Sequence, residues 1–174
     1  GALIAIVTFP GVIVHEAAHL FFCRLRKVPV FDAKFFQFDM TTAGYVIHGR
    51  SDNFTTEFLI STGPFIINTL LCFFICLPAS VPYYYFDELP GFSVLLLWLG
   101  ISIGMHAFPS TVDANNIWML AKAEARKRNI LAILSFPIVI LIYFANALKF
   151  MWFDALFGLG IGVGLPALIL SALQ

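Results

Sequence analysis

The chain has 174 residues, of which 60% are hydrophobic and only 11% are charged. Its mean hydropathy of +0.92 is above the usual range of soluble globular domains and is typical of polytopic membrane proteins. Ten basic and ten acidic residues give a formal net charge of zero, so the composition offers no electrostatic attraction for nucleic acid.

The first apolar stretch, residues 2–23, contains the sequence His15-Glu16-Ala17-Ala18-His19. On a helix the two histidines lie one turn apart on the same face, at a spacing that suits two ligands of one metal ion, and Glu16 flanks them. A charged side chain at the centre of a membrane helix costs about 2.5–3.5 kcal/mol, so ionisable residues there indicate function. The alternative is a trio of hydrogen-bonded polar core residues. We predict a zinc site buried in a membrane.

Residues 28–56 are the only sizeable segment that favours strands over helices. Polar and apolar residues alternate over 36–41, a two-residue period that indicates a half-buried strand. Residues 41–44 have the composition of a turn, and the β-branched and aromatic run 45–47 follows. We predict a short β-hairpin on or in the cytoplasmic leaflet; the alternative is an irregular interfacial loop.

Four more apolar stretches are long enough to cross a hydrocarbon core of about 30 Å. They cover residues 58–78, 92–120, 130–148 and 151–173, and Pro109 interrupts the second of them. The last two stretches are separated by so few residues that they predict a tight helical hairpin. Together with the first stretch, the sequence predicts five membrane spans.

The last stretch carries four glycines at alternate positions: Gly158, Gly160, Gly162 and Gly164. No strand precedes them and no polar residue is near, which argues against a phosphate-binding loop. Two overlapping Gly-x-x-x-Gly pairs in an apolar helix instead predict a face that packs closely against another helix.

Basic residues lie in two short clusters near the ends of apolar stretches: Arg24, Arg26 and Lys27, and then Lys122, Arg126, Lys127 and Arg128. Lysine and arginine close to span ends mark the cytoplasmic side of a membrane protein. With both clusters in the cytoplasm, five spans place the loop 81–90 outside and the C-terminus in the cytoplasm.

Catalytic zinc normally has three protein ligands, so the two histidines require a third. The candidates in apolar stretches are Asp113, His106 and Asp154. His15 and Asp113 each lie nine residues before a basic cluster, so on straight helices each sits about 13 Å inside the cytoplasmic boundary. His106 would lie about two turns further out, and Asp154 would lie at the outer end of the last span. We therefore predict Asp113 as the third ligand.

The sequence around Asp113 is unlike an ordinary membrane helix. Pro109 lacks a backbone N–H and frees a carbonyl, while the polar residues at 110, 111, 115 and 116 can satisfy exposed backbone groups. Irregular backbone at membrane depth persists only beside protein or a water-filled cavity, and a hydrolase needs such a cavity. The alternative is a plain proline kink. With zinc bound, Glu16 has the position of a general base for water.

These residues resemble the site-2 protease family of intramembrane zinc metalloproteases. The family has the His-Glu-x-x-His motif of 15–19 in a membrane helix and, two spans later, a proline-containing segment ending in Leu-Asp-Gly, where this chain has 109–114. Gly63-Pro64 with Asn68 is similar to the family's Gly-Pro-x-x-Asn helix, although Asn68 is one residue late. Val112 and Ala114 replace the family's leucine and glycine, and His106 stands near the place of an upstream asparagine.

The resemblance covers about residues 2–120 and implies a catalytic core in 1–122, made of three helices and a membrane-associated hairpin at 28–56. We expect an all-α polytopic membrane protein of about five helices, with residues 129–174 as a C-terminal transmembrane hairpin. Its active site would lie nearer the cytoplasmic face of the bilayer, and its partner would be a transmembrane protein substrate.

The leading hypothesis is a zinc metalloendopeptidase that hydrolyses a peptide bond in a membrane-embedded helix, with catalytic Glu16 and with Zn²⁺ held by His15, His19 and Asp113. A second hypothesis is a non-proteolytic membrane protein that senses or binds metal through the same ligands. A third is a catalytically inactive scaffold that binds membrane helices. Glu16 separates the hypotheses, because neither a sensor nor a scaffold requires it.

Overall fold

The structure, a computed structural model, describes residues 2–38 and 43–173. It is 77% helical and contains one small two-stranded hairpin, in agreement with the predicted helical class. The helices are α1 Ala2–Val7, α2 Phe9–Leu25, α3 Phe54–Phe86, α4 Gly91–Met105, α5 Thr111–Arg126, α6 Ile130–Ala147, α7 Phe153–Leu159 and α8 Leu165–Ala172, and the strands are β1 Val30–Lys34 and β2 Tyr45–His48. A 3₁₀ turn, Leu148–Met151, joins α6 to α7, and a π-helical turn, Gly160–Gly164, joins α7 to α8.

Three helical segments within the described residues are long and apolar enough to cross a membrane: Phe54–Phe86, Ile130–Met151 and Phe153–Ala172. They indicate a membrane protein. The predicted count of five spans is not confirmed. The stretch 92–120 divides into α4 and α5 because Pro109 cannot continue a helix and Ser110 caps the next one.

Helix α3 runs antiparallel to both α4 and α5. Asn68, in the middle of α3, donates a hydrogen bond to the carbonyl of Ile103 near the end of α4. Phe54, at the start of α3, belongs to the same core cluster as Ile117 of α5. Helices α4 and α5 therefore both run opposite to α3, and the chain between them is not helical at 106–110.

The C-terminal segment 129–174 does not form the predicted helical hairpin. Asn146, at the end of α6, donates to the carbonyl of Pro109 just before α5, so α6 runs antiparallel to α5. Phe153, at the start of α7, packs against Phe108, and a Cβ on Gly158 would lie 3.0 Å from the carbonyl of Ile101 in α4. Helix α7 therefore continues from α6 in the same direction.

A hairpin prediction failed here because the connection 148–152 shifts the helix axis without reversing the chain. It consists of one 3₁₀ turn followed by Trp152 in the left-handed region, at φ 61°. Helix α8 then lies beside Tyr84, at the end of α3, and the described chain ends there. The end of α8 and the basic end of α5 therefore lie at opposite ends of the molecule. The prediction that the C-terminus and both basic clusters share the cytoplasmic side does not agree with this arrangement.

Two of the four glycines in the last stretch form the predicted close-packing face. A Cβ on Gly158 would lie 3.0 Å from atoms of Ile101 and Met105, and one on Gly162 would lie 3.1 Å from the sulfur of Cys76. Gly160 has nothing within 4 Å of such a Cβ. The pair at 158 and 162 is therefore the one that brings α7 close to α3 and α4.

The predicted β-hairpin is confirmed, and β2 covers the predicted run 45–47, but β1 lies at Val30–Lys34 instead of 36–41. β1 and β2 are antiparallel, with Lys34 opposite Tyr45 and Val30 opposite His48. The predicted strand at 36–41 is wrong for residues 36–38, and residues 39–42 lie outside the described chain. Phe36 packs its ring against Phe9 instead of extending the ladder, although one further backbone bond joins residues 37 and 43.

Candidate metal centre

The three predicted metal ligands lie together. His15 and His19 face the same way from consecutive turns of α2, and Asp113 reaches them from the first turn of α5. Their ligand atoms all lie within 4.8 Å of one another. Nε2 of His19 is 3.2 Å from Nε2 of His15 and 3.7 Å from Oδ2 of Asp113. This group could hold a metal ion.

Backbone carbonyls fix the protonation of both imidazole rings. Nδ1 of His15 is 2.7 Å from the carbonyl oxygen of His106, and Nδ1 of His19 is 2.9 Å from that of Ile60. Because a carbonyl only accepts, each Nδ1 carries the donated proton, and the lone pair of each neutral ring is on Nε2. Both Nε2 atoms are therefore available as ligands, and a second shell of this kind is usual for metal-binding histidines.

Each of these carbonyls lacks a helical hydrogen-bond donor for a structural reason. The carbonyl of Ile60 would normally bond the N–H four residues later in α3, but that residue is Pro64, which has none. The carbonyl of His106 belongs to the residue just after α4, where helical partners end. Pro64 of the Gly-Pro sequence thus leaves the carbonyl of Ile60 without its helical donor, and His19 donates to that carbonyl instead.

Two lone pairs that face each other at 3.2 Å repel unless a proton or a metal cation lies between them. Two nitrogen ligands at about 2.0–2.1 Å from a tetrahedral metal ion such as zinc are separated by roughly 3.3 Å, so the observed spacing is compatible with a bound metal ion. The carboxylate of Asp113 beside His19 could supply an anionic third ligand. The alternative for the same atoms is a proton on His19 that forms an ion pair with Asp113.

Asp113 is held at the start of α5 by a capping box with Ser110. The N–H and the hydroxyl of Ser110 donate to Oδ2 of Asp113, at 2.9 and 2.6 Å, and the Asp113 N–H donates to the Ser110 hydroxyl oxygen. Asn146 of α6 donates to the Pro109 carbonyl. The predicted polar partners were only partly right, since Asn115 bonds Tyr143 instead.

A cavity of about 370 Å³ adjoins His15. His15, Glu16 and Ser110 line it together with His106, and the C-terminal segment adds Lys149 and Asp154. The β-hairpin lies directly against the predicted base, because a Cβ on Gly44 would be 2.8 Å from Cγ of Glu16. The cavity has room for water, and Glu16 lines it beside His15.

His106 is not part of the ligand group. Its Nε2 is 2.8 Å from the hydroxyl oxygen of Thr8, whose own hydrogen goes to the carbonyl of Ile4, so His106 donates this bond. His106 contributes its backbone carbonyl to the site. Asn68, fully buried, donates to the same carbonyl at 3.1 Å and so supports its position.

Sequence analysis missed Lys149 and Asn146 and misplaced Asp154. Asp154 was predicted at the outer end of the last span, but it lines the cavity because the break at 148–152 lies beside the break at 106–110. A charge at Lys149 inside an otherwise apolar run was the signal that could have found this wall of the site.

Comparisons of the chain with protein-family models, with curated proteins and with solved structures give no match.

Proposed function

We propose that this protein is an intramembrane zinc metalloprotease that hydrolyses a peptide bond in a membrane-embedded helix, as its resemblance to the site-2 protease family implies. One observation carries the proposal. Nδ1 of both His15 and His19 is committed to a carbonyl, so both Nε2 atoms point with Asp113 at one place, next to a cavity that contains Glu16.

The residues of the site would have separate roles in amide hydrolysis. His15, His19 and Asp113 would hold the zinc ion, which would lower the pKa of a bound water to about 7 and polarise a carbonyl. Glu16 accepts the proton of the attacking water and later gives it to the leaving amine. The hairpin contacts Glu16 at Gly44, so an unwound substrate that pairs with a free strand edge would run past the base.

We place the protein in a membrane that it crosses several times, with its site nearer the cytoplasmic face. Arg26, after α2, donates to the hydroxyl of Thr56 at the start of α3, and α5 ends near the same end of α3. Both basic clusters therefore lie at one end of the molecule. The positive-inside rule favours this end as cytoplasmic and the end with Tyr84 as external.

Single cysteines should report this topology in intact cells, after the three native cysteines are replaced. An impermeant thiol reagent should label positions 87 and 173 from outside and should not label position 127. Position 173 should be labelled like position 87, because the C-terminal segment runs in the same direction as α3 and ends at the same end of the molecule. If positions 173 and 127 behaved alike, the segment 129–174 would be a hairpin after all.

The function itself is tested by metal removal. Purified protein should contain one zinc per chain and cleave a tagged transmembrane helix in liposomes. A chelator should abolish cleavage, and one equivalent of zinc should restore it, because the protein supplies every other group. Retained zinc without cleavage of any membrane helix would instead favour the metal-sensing alternative.

A further inference from the structure

Two residues of opposite charge from the C-terminal segment lie in the wall of the metal cavity. Lys149 belongs to the 3₁₀ turn Leu148–Met151, and Asp154 belongs to the first turn of α7. Within the residues that the structure describes, neither forms an ion pair closer than 4.0 Å. The mechanism proposed above uses neither of them.

Asp154 has an unsatisfied hydrogen-bonding atom. Its Oδ1 is buried and accepts no hydrogen bond from any described residue. A buried carboxylate oxygen without a donor is unfavourable, and in native proteins such an atom needs an explanation, of which a missing ligand is one.

Lys149 lies among exposed apolar side chains. Its neighbours Phe150 and Met151 are 78% and 59% exposed, so the surroundings of this turn are apolar. A lysine in a membrane segment directs its ammonium group to a water-filled cavity or an anionic partner. For Lys149 the adjoining space is the cavity that also contains Glu16.

A donor and an acceptor of opposite charge in one cavity select a dipolar ligand. A lone anion would be repelled by Asp154, and a lone cation by Lys149. An unwound peptide presents a carbonyl oxygen and an N–H close together on each residue, and it loses its own helical bonds when it unwinds. Backbone of this kind satisfies both side chains at once.

We propose that Lys149 and Asp154 form a substrate-binding subsite in which Lys149 donates to a carbonyl, and Asp154 accepts from an N–H, of the unwound peptide beside the cleaved bond. This inference rests on the proposed protease function. The subsite recognises backbone, so it selects helices that unwind readily and is indifferent to most side chains.

The test measures peptide binding without turnover. In the Glu16→Gln protein, the probe is a fluorescent synthetic transmembrane peptide of about 25 residues, mostly leucine with a central glycine and asparagine. Lys149→Met keeps the length of the side chain, and Asp154→Leu removes the acceptor. Each should weaken binding by about 10-fold or more, because each removes a charge-assisted hydrogen bond.

Three controls separate the subsite from effects on the fold. Lys122→Met removes a lysine that lies over the ring of Trp118, away from the cavity, and should leave binding unchanged. Zinc content should be equal in all variants. A probe with an ester in place of the central amide lacks one N–H, so Asp154→Leu should have a much smaller effect on its binding.

Unchanged binding in both Lys149→Met and Asp154→Leu would overturn the subsite, as would a loss of zinc equal to the loss of binding. The protease proposal fails separately. If the unmutated protein bound the probe through these residues but never cleaved it, the subsite would stand and the hydrolytic function would not.

Discussion

Replacement of Glu16 by glutamine should abolish proteolysis and leave the zinc content and the fold intact. Glutamine keeps the shape of the side chain, including the Cγ atom against Gly44, but its amide cannot accept the proton of the attacking water. General base catalysis alone contributes about 10²–10⁴-fold, so cleavage should fall at least that far. The measurement is the rate of cleavage of a tagged transmembrane helix, with zinc determined on the same preparation.

Glu88→Gln makes the same chemical change at an exposed site at the far end of α3 and should cleave like the unmutated protein. The Glu16→Gln protein should also retain its substrate, because only the proton acceptor is lost. Full activity in that variant would rule out Glu16 as the general base.

Removal of the Asp113 carboxylate should eliminate zinc binding. Loss of a supporting partner around a metal typically costs 10–100-fold in affinity, so loss of a direct ligand should cost roughly 100-fold or more. Asp113→Ala also removes the acceptor for Ser110, which weakens the start of α5. Asp113→Asn is the sharper variant, because its amide oxygen can still accept that bond while the anionic ligand is lost.

Zinc per chain, measured after dialysis against a weak chelator, decides the result, and circular dichroism shows whether α5 remains folded. Asp52→Asn is the control on the exposed surface. Full zinc occupancy in both Asp113 variants would place the third ligand elsewhere. If His15→Ala also left the metal content unchanged, the observed group would be a proton-linked ion pair.

Sequence alone predicted which side chains meet but not how the C-terminal segment 129–174 runs. The spacing of His15 and His19 follows from helix geometry. The depth of Asp113 in the membrane could be matched to that of His15 by counting the residues from each to the next basic cluster. The direction of α6 to α8 has no such signal. A connection such as 148–152 has the same composition whether it reverses the chain or only shifts the helix axis.

Packing decides that direction. Phe108 contacts both Phe153 and Phe157, and Gly158 allows α7 to approach α4 closely. These contacts join residues about 50 positions apart, which hydropathy and local periodicity do not describe. The predicted position of the first strand was wrong for a related reason, since the alternation at 36–38 serves an aromatic contact with Phe9.

His15 and His19 donate their hydrogen bonds to main-chain oxygens. The identity of the side chains at 60 and 106 therefore does not show whether these bonds can form. Residues 60 and 106 can change their side chains and still present the same oxygen, so substitution there leaves the orientation of the imidazoles intact. Residue 64 is different, because the absence of an N–H on Pro64 leaves the carbonyl of Ile60 available to His19. Any other residue at 64 would give α3 an N–H that competes with His19 for the oxygen of Ile60. Proline at 64 therefore bears on the orientation of the His19 ring as well as on the shape of α3.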